Sequence, residues 1–415
     1  LEAMERIGCR IDLLVIDPYF ERGLPWRFVH PDVSRLATVV IRDHRRIGNF
    51  YFNAHAFREW LLLPLRLLYL ALPDRVRRFV RNRTVAIRRG VTERMKRAFT
   101  LDDPVSPEEE AFVRAWIRRY PPGIVIVNFT PLAPLLDLFE GSPTILTGIL
   151  THDVLHRRIE SFEQSGIPID VFSRRWDPEG EGALLRKARL LIAIQKEDAA
   201  AFERLSPMSD VIEAPVAFPL YHHPEPPTPG RCLFVGSATN HNIYGIRWFI
   251  SEVWPTIRRR HPASTLHVCG SVCREIEEGG EGIVLRGLVE DLDREYAEAE
   301  VCVIPLLAGS GLKIKLGEAL AHGRACVSTS IGLQGFEELA GEVVLCADTP
   351  APFAEGVSAI LASPEKRMEL EARAHAFVAA HLVPSAAYRP LETYLDRYLD
   401  TRHEEGGTRQ AKAPA

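Results

Sequence analysis

Short apolar runs and amphipathic stretches alternate along nearly the whole chain. Runs rich in Val, Ile and Leu recur at 11–16, 38–41, 124–128, 144–150, 190–194 and 211–214. They return at 232–235, 265–269, 283–285, 301–305, 325–329 and 343–346. Runs this short, apolar on both faces, predict buried strands. The stretches between them carry helical spacing. Over 242–259, Ile243, Ile246, Ile250, Val253 and Ile257 fall on one face, as in a helix packed on a core. Strands alternating with helices predict an α/β protein with doubly wound parallel sheets. Such sheets take ligands beyond the C-terminal ends of their strands. The Pro-rich stretch FPLYHHPEPPTP breaks the alternation. It predicts two domains, 1–218 and 231–385, joined by a linker over 219–230. The opening LEAMERIGCRIDLLVI reads as a helix end feeding a strand, so the first strand and loop of the first domain are expected to precede it. The charged, then Gly/Lys/Ala-rich end, 401–415, reads as a disordered tail.

One stretch, VCVIPLLAGSGLKIKLGEALAHGRACVST over 301–329, carries more chemistry than the rest. It predicts a strand over 301–305, a glycine loop over 308–311, a helix over 313–322 closed by Gly323, and a strand over 325–329. Glycines let backbone N–H groups turn outward at a helix start, and that positive end binds phosphate. Gly309 and Gly311 bracket Ser310, Lys313 and Lys315 add full charges, and Glu318 stands where a carboxylate reaches a sugar hydroxyl. The pattern points to a phosphorylated sugar carrier. Lys315 and Glu318 also suit a surface ion pair, and the glycines suit ordinary turns.

Other strand ends carry weaker signals. Gly236 and Ser237 close the first strand of the second half, with Asn240 or Asn242 placed to cap the next helix. The segment IVLRGLVEDL places Gly287 and Leu288 between a strand and an acidic helix start. His152 and Asp153 follow an apolar run, and Asp153 suits either a helix cap or a cleft wall. Arg157, Arg158, Glu197 and Asp198 read as solvated helix faces, and His222–His223 as linker residues without a metal role. Neither half shows GxGxxG after its first visible strand, which argues against a nicotinamide or flavin cofactor.

Composition narrows the classes. Of 415 residues, 46% are hydrophobic and 26% charged, ordinary for a globular protein of two domains. A net charge of −4 offers no basic field for nucleic acid. The seven cysteines sit mostly in or beside predicted strands, which suits reduced thiols in a reducing cytosol. Cys269 and Cys273 lack a second pair to complete a zinc site, so no metal is expected. No run reaches the ~20 apolar residues of a membrane span. The segment FREWLLLPLRLLYLAL over 57–72 runs into Arg75, Arg77, Arg78, Arg81, Arg83, Arg88, Arg89, Arg94, Lys96 and Arg97. Apolar bulk beside that cluster suits either a core helix with a solvated basic neighbour or contact with anionic lipid headgroups, the latter implying a peripheral position on the inner face of the cell membrane.

The ordered set FVGS…N…WF…VWP, LRGLVEDL and the glycine–lysine–glutamate stretch resembles the nucleotide-sugar-binding domain of retaining GT-B glycosyltransferases of the family-4, or group 1, type. IVIVNFTPLAPLL, ILTHDVLHRR and ARLLIAIQKEDAAAF resemble the acceptor-side domain of the bacterial polysaccharide and lipid-glycan enzymes of that group. The resemblance implies two Rossmann-like domains facing a cleft, with a helix over 386–400 crossing back onto the first. It implies that Gly309, Gly311, Lys313 and Lys315 hold a diphosphate, that Glu318 holds the ribose and that the backbone at Gly287 and Leu288 faces the base. It further implies that His152 approaches the donor sugar. The implied reaction moves a sugar from a UDP- or GDP-sugar to a glycan or lipid-diphosphate acceptor, with retention and without metal or cofactor. Two departures stand out. Ser310 occupies the place of the family's first glutamate, which leaves that sugar contact to Ser310 or backbone amides. Residues 237–243 hold no positive side chain except His241. A nucleotide-sugar 2-epimerase on the same fold and a non-catalytic nucleotide-sugar-binding subunit remain open alternatives.

Overall fold

The computed structural model describes residues 1–16, 26–53, 104–169, 176–276 and 280–406. The apolar and basic segment over 57–97, and the end of the chain after 406, lie outside the described residues.

The second domain is a single six-stranded parallel sheet. Its strands are β10 (Arg231–Val235), β11 (Thr265–Cys269), β12 (Ile283–Gly287), β13 (Val301–Ile304), β14 (Cys326–Ser328) and β15 (Val344–Cys346). They lie in the order β12-β11-β10-β13-β14-β15. Cys232 pairs with Leu266 on one side and Val301 on the other, so β10 is central and its apolar residues are buried on both faces. Ile243, Ile246, Phe249, Val253, Ile257, Phe353, Val357 and Ile360 cover one face of the sheet. Leu316, Leu320, Phe336, Val378 and Leu382 cover the other, against Cys302 and Ile304. The helix expected over 242–259 runs as Asn240–Trp248, a π-helical turn Phe249–Val253, and Trp254–Arg260. Pro255 explains the wide turn: it has no N–H to give to the carbonyl four residues back. The strand order reverses between β10 and β13. That reversal opens a crevice at their C-terminal ends, where the connections leave in opposite directions.

The first domain is built on a four-stranded parallel sheet in chain order, β6 (Ile124–Asn128), β7 (Leu146–Leu150), β8 (Leu190–Ala193) and β9 (Asp210–Glu213). A parallel pair, β1 (Asp12–Val15) and β3 (Thr38–Ile41), forms a separate small sheet. The three-stranded antiparallel sheet of β2 (Trp26–Phe28), β5 (Phe50–Asn53) and β4 (His44–Ile47) was not expected from the sequence. Arg45 and Arg46 mask the apolar alternation there. The usable signal is the two-residue turn Gly48–Asn49, with Gly48 at φ 61°. Tyr51 is the buried anchor, donating from its hydroxyl to the Val39 carbonyl at 2.9 Å.

The last helix, Arg389–Gly406, leaves the second domain and lies on the first. Leu391 and Leu395 join a cluster with Leu146, Leu190 and Ile192, and Tyr394 donates to Asp210 at 2.7 Å. It runs past residue 400, into the part expected to be tail. Among the described residues, no helix is long and apolar enough to cross a membrane, and all seven cysteines are free.

Leu395 is 1% exposed, and its truncation leaves a cavity between helix and sheet. Leu395→Ala should cost ~2–5 kcal/mol and lower the first transition in a calorimetric melt. An unchanged melt would show that the helix does not bind the first domain in solution.

Candidate active site

The loop after β13 is shaped by two glycines and one lysine. Gly309 and Gly311 sit at φ 130° and 72°, where a side chain is strained. A β-carbon at Gly311 would stand 2.8 Å from the His152 carbonyl oxygen and 2.9 Å from Asp153 Cβ, so the loop meets the first domain only because position 311 is glycine. Lys313 stands immediately before the helix Ile314–Ala321. Its ammonium donates to the carbonyls of Ser310 (3.0 Å) and Gly311 (2.9 Å) and to Gln334 Oε1 (2.7 Å). All three donors are taken and the residue is 7% exposed. Burial first, then Lys315 and Arg158, lower its pKa to about 7. Lys313 therefore clamps the loop.

Lys315 points to the crevice itself. Its ammonium donates to Asn242 Oδ1 and lies 5.9 Å from the ring centre of Phe234 in β10. Burial lowers its pKa to about 8, with Glu318 opposing. Asn242 is buried and donates to the carbonyl and hydroxyl of Ser237 (both 3.1 Å) and to Thr239 Oγ1 (3.0 Å). Thus the turn after β10, with Gly236 and Ser237, and the helix after β13 are joined across the switch point through one amide side chain. Glu318 lies on the same helical face as Lys315 and accepts from the Tyr296 hydroxyl at 3.1 Å. Burial raises its pKa, and the Tyr296 bond and Lys315 oppose that shift. The Tyr296 ring stacks on His322 at 4.6 Å. Gly287 ends β12 at φ 70°, and the neighbouring Leu288 is 70% exposed beyond the strand end.

The first domain presents the opposite wall. His152 follows β7 and shares a hydrogen bond with Asn128 Oδ1 at 2.8 Å. Its ring lies edge-on to Phe129 at 5.5 Å, a residue held at φ 98°. Burial lowers the His152 pKa against the pull of Asp153, which favours the neutral imidazole. Asp153 is 2% exposed and accepts from Arg158 at 3.0 Å and from Ser310 of the second domain at 2.8 Å. A second contact across the domains joins the Gly309 N–H to Ser161 Oγ at 3.1 Å. The sequence-derived site thus falls in three groups. Gly309, Ser310, Gly311 and Lys313 gather with His152 and Asp153; Gly236, Ser237, Lys315 and Glu318 line the crevice. Gly287 and Leu288 stand at the end of β12, the edge strand.

Several readings change. Arg158 is not a solvated helix residue, because it pairs with Asp153. Asp198 is not solvated either: it is 3% exposed. Burial raises its pKa to about 7, with a Gln195 hydrogen bond opposing and Asp153 adding to the rise. Gln334 and Tyr296, which no sequence signal singled out, hold Lys313 and Glu318 in place. The linker histidine His223 shares a hydrogen bond with His322 at 2.9 Å, and Tyr221 stacks on His322 at 3.8 Å, so the linker is docked. No cluster of three His, Cys, Asp or Glu residues fit to hold a metal occurs among the described residues.

The raised Asp198 pKa has a sign that can be measured. The folded protein holds the Asp198 proton to about pH 7, while an unfolded aspartate loses it near 3.8. The residue's contribution therefore falls as pH rises through that window. Asp198→Asn, which has no charge to bury, should gain stability over the parent between about pH 4 and 7, by on the order of 2–4 kcal/mol at the upper end. Urea midpoints across that range check it; a pH-independent difference would contradict the buried carboxyl.

Comparison with known proteins follows the same division. Residues 229–363 match the family model described as glycosyl transferases group 1. An uncharacterized protein of the cps region of Klebsiella pneumoniae is 26% identical over 137 residues, which are 30% of this chain and 35% of that protein. Among solved structures, S. aureus TarM in a complex with UDP superposes with a TM-score of 0.55 at 10% identity, over 70% of this chain and 59% of its own. Sucrose-phosphate synthase from Thermosynechococcus elongatus gives 0.54 at 17% identity, over 73% and 78%. The pneumococcal O-GlcNAc transferase GtfA in complex with UDP and GlcNAc gives 0.52 at 16% identity, over 71% and 60%. The chain thus spans about a third of its curated relative and about three fifths of TarM. At these identities the structural likeness speaks for the fold, which is the two-domain GT-B architecture, with the group 1 match confined to its second domain.

Proposed function

We propose that this protein is a glycosyltransferase that moves a sugar from a UDP- or GDP-sugar to a hydroxyl of a glycan or lipid-diphosphate acceptor. The observation that carries the reading is the placement of Lys315 and Glu318 on one helical face at the β10/β13 crevice. Lys315 is tied to the turn after β10, and Glu318 is held by Tyr296. A cation beside a helix start and a fixed carboxylate one turn on match a diphosphate followed by a ribose. The group 1 match over the same residues, and the UDP named with TarM and GtfA, support it.

In this reading Lys315 and the amides at the helix start meet the charge that develops on the departing β-phosphate, already oriented before reaction. Lys313 keeps the loop in shape and adds its charge from behind. Glu318 accepts from the ribose hydroxyls, and the backbone at Gly287 and Leu288 faces the base. His152, neutral and oriented by Asn128, exchanges a hydrogen bond with the donor sugar. The departing phosphate receives the acceptor's proton on the face it leaves, so the anomeric configuration is retained. The two lysines and the amides take the part that a metal ion plays elsewhere. The segment over 57–97 brings the acceptor side to an anionic bilayer on the cytoplasmic face.

Two measurements test this. In a panel of UDP- and GDP-sugars scored by released nucleotide, Lys315→Ala should lower turnover by ~10²-fold or more. An unchanged rate would remove Lys315 from the reaction. The full chain should sediment with phosphatidylglycerol vesicles at low salt and be released at high salt; salt-independent recovery in the supernatant would reject the membrane contact.

A further inference from the structure

The glycine loop carries no carboxylate of its own. Residues 306–313 read LLAGSGLK. One carboxylate nevertheless sits on it, delivered by the other domain. Ser310 Oγ donates to Asp153 Oδ2 at 2.8 Å, and Arg158 Nη1 donates to the same oxygen at 3.0 Å. The other oxygen, Oδ1, is buried without a hydrogen-bond donor. Leaving a buried acceptor unpaired costs ~1–3 kcal/mol, more when it is charged. That cost is tolerated where a ligand supplies the donor. The approach is also built in at the backbone, since any β-carbon at Gly311 would stand 2.9 Å from Asp153 Cβ.

We infer that Asp153, seated on the loop by Ser310, accepts a hydrogen bond from a hydroxyl of the transferred sugar, so that the sugar subsite is assembled across the domain interface. This rests on the donor-site reading above and adds the sugar recognition to it. Three features favour a sugar hydroxyl as the partner. The oxygen is an acceptor, so it needs a donor. Its carboxylate lies beside the loop that follows β13, one residue from His152. Its carboxylate is already held by one neutral and one cationic donor, so a neutral third donor adds no charge. Ser310 is a positioning residue in this scheme, because it acts through Asp153. Nucleotide recognition stays within the second domain, on Lys315 and Glu318. Sugar recognition requires that the first domain bring its carboxylate to the loop. Domain closure and sugar selection are then one event.

The division gives the test. With the full chain and the UDP- or GDP-sugar that the parent turns over, Asp153→Asn keeps the shape of the side chain and should lower kcat by about 30-fold or more. Binding of UDP or GDP, followed by calorimetry, should stay within about twofold. Ser310→Ala should lower kcat less, by about 3- to 10-fold. The decisive variant moves the carboxylate. Ser310→Glu combined with Asp153→Ser returns an acidic group to the same contact from the loop side. It should recover at least about tenfold over Asp153→Ser alone. A mere latch between domains would not be repaired by relocating a charge. A kcat for Asp153→Asn within about twofold of the parent would overturn the inference. So would a folded double variant no better than Asp153→Ser. A parent that binds neither UDP nor GDP would overturn the functional reading beneath it, and this inference with it.

Discussion

One buried ammonium holds the centre of this molecule in shape. Lys313 spends its three donors on two loop carbonyls and on Gln334, and so ties the loop after β13 to the segment after β14. The loop has little else to define it, since two of its residues are glycines with wide backbone freedom. An unpaired buried ammonium would be costly, so the loop conformation that satisfies it is strongly preferred. From that conformation follow the close approach of Gly311 to His152 and Asp153 and the position of Ser310 at the interface.

Around this clamp the protein gathers cations that do not favour one another. Lys313 and Lys315 both have lowered pKa values, about 7 and about 8. His241 beside them is driven to about 2, by burial first and then by Lys315, Arg158 and Lys313. Mutual repulsion and lost hydration hold the site short of full charge. A dianionic diphosphate would relieve both, since an opposite charge within a few ångströms favours the protonated forms.

The two domains are linked in more ways than by chain continuity. The linker is docked by Tyr221 on His322, the last helix returns to the first domain through Leu391 and Leu395, and the loops meet at Ser310 and Asp153. His322 is shared: it packs against the linker on one side and against Tyr296, the partner of Glu318, on the other. A backing of this kind holds the Glu318 carboxylate in place through Tyr296.

Most of the strands, the helix after β13 and its Lys315–Glu318 face were legible in the sequence, because apolar periodicity and glycine freedom are properties of neighbouring residues. The hairpin sheet over 26–53 was not, since its arginines hide the alternation and its pairing is decided by contacts with Val39 and Ile41. The roles of charged residues were the least legible. Lys313 read as a phosphate-facing charge, and its ammonium also holds the loop's own carbonyls; Asp198 and Arg158 read as solvated, yet one is buried and the other paired. Whether a charge meets water, a carbonyl or a carboxylate depends on groups brought from elsewhere in the chain. Sequence alone determined where the glycine loop after β13 forms, through local backbone rules. Tertiary structure alone decided which of its charges stay available, because burial and partnership are sums over distant residues.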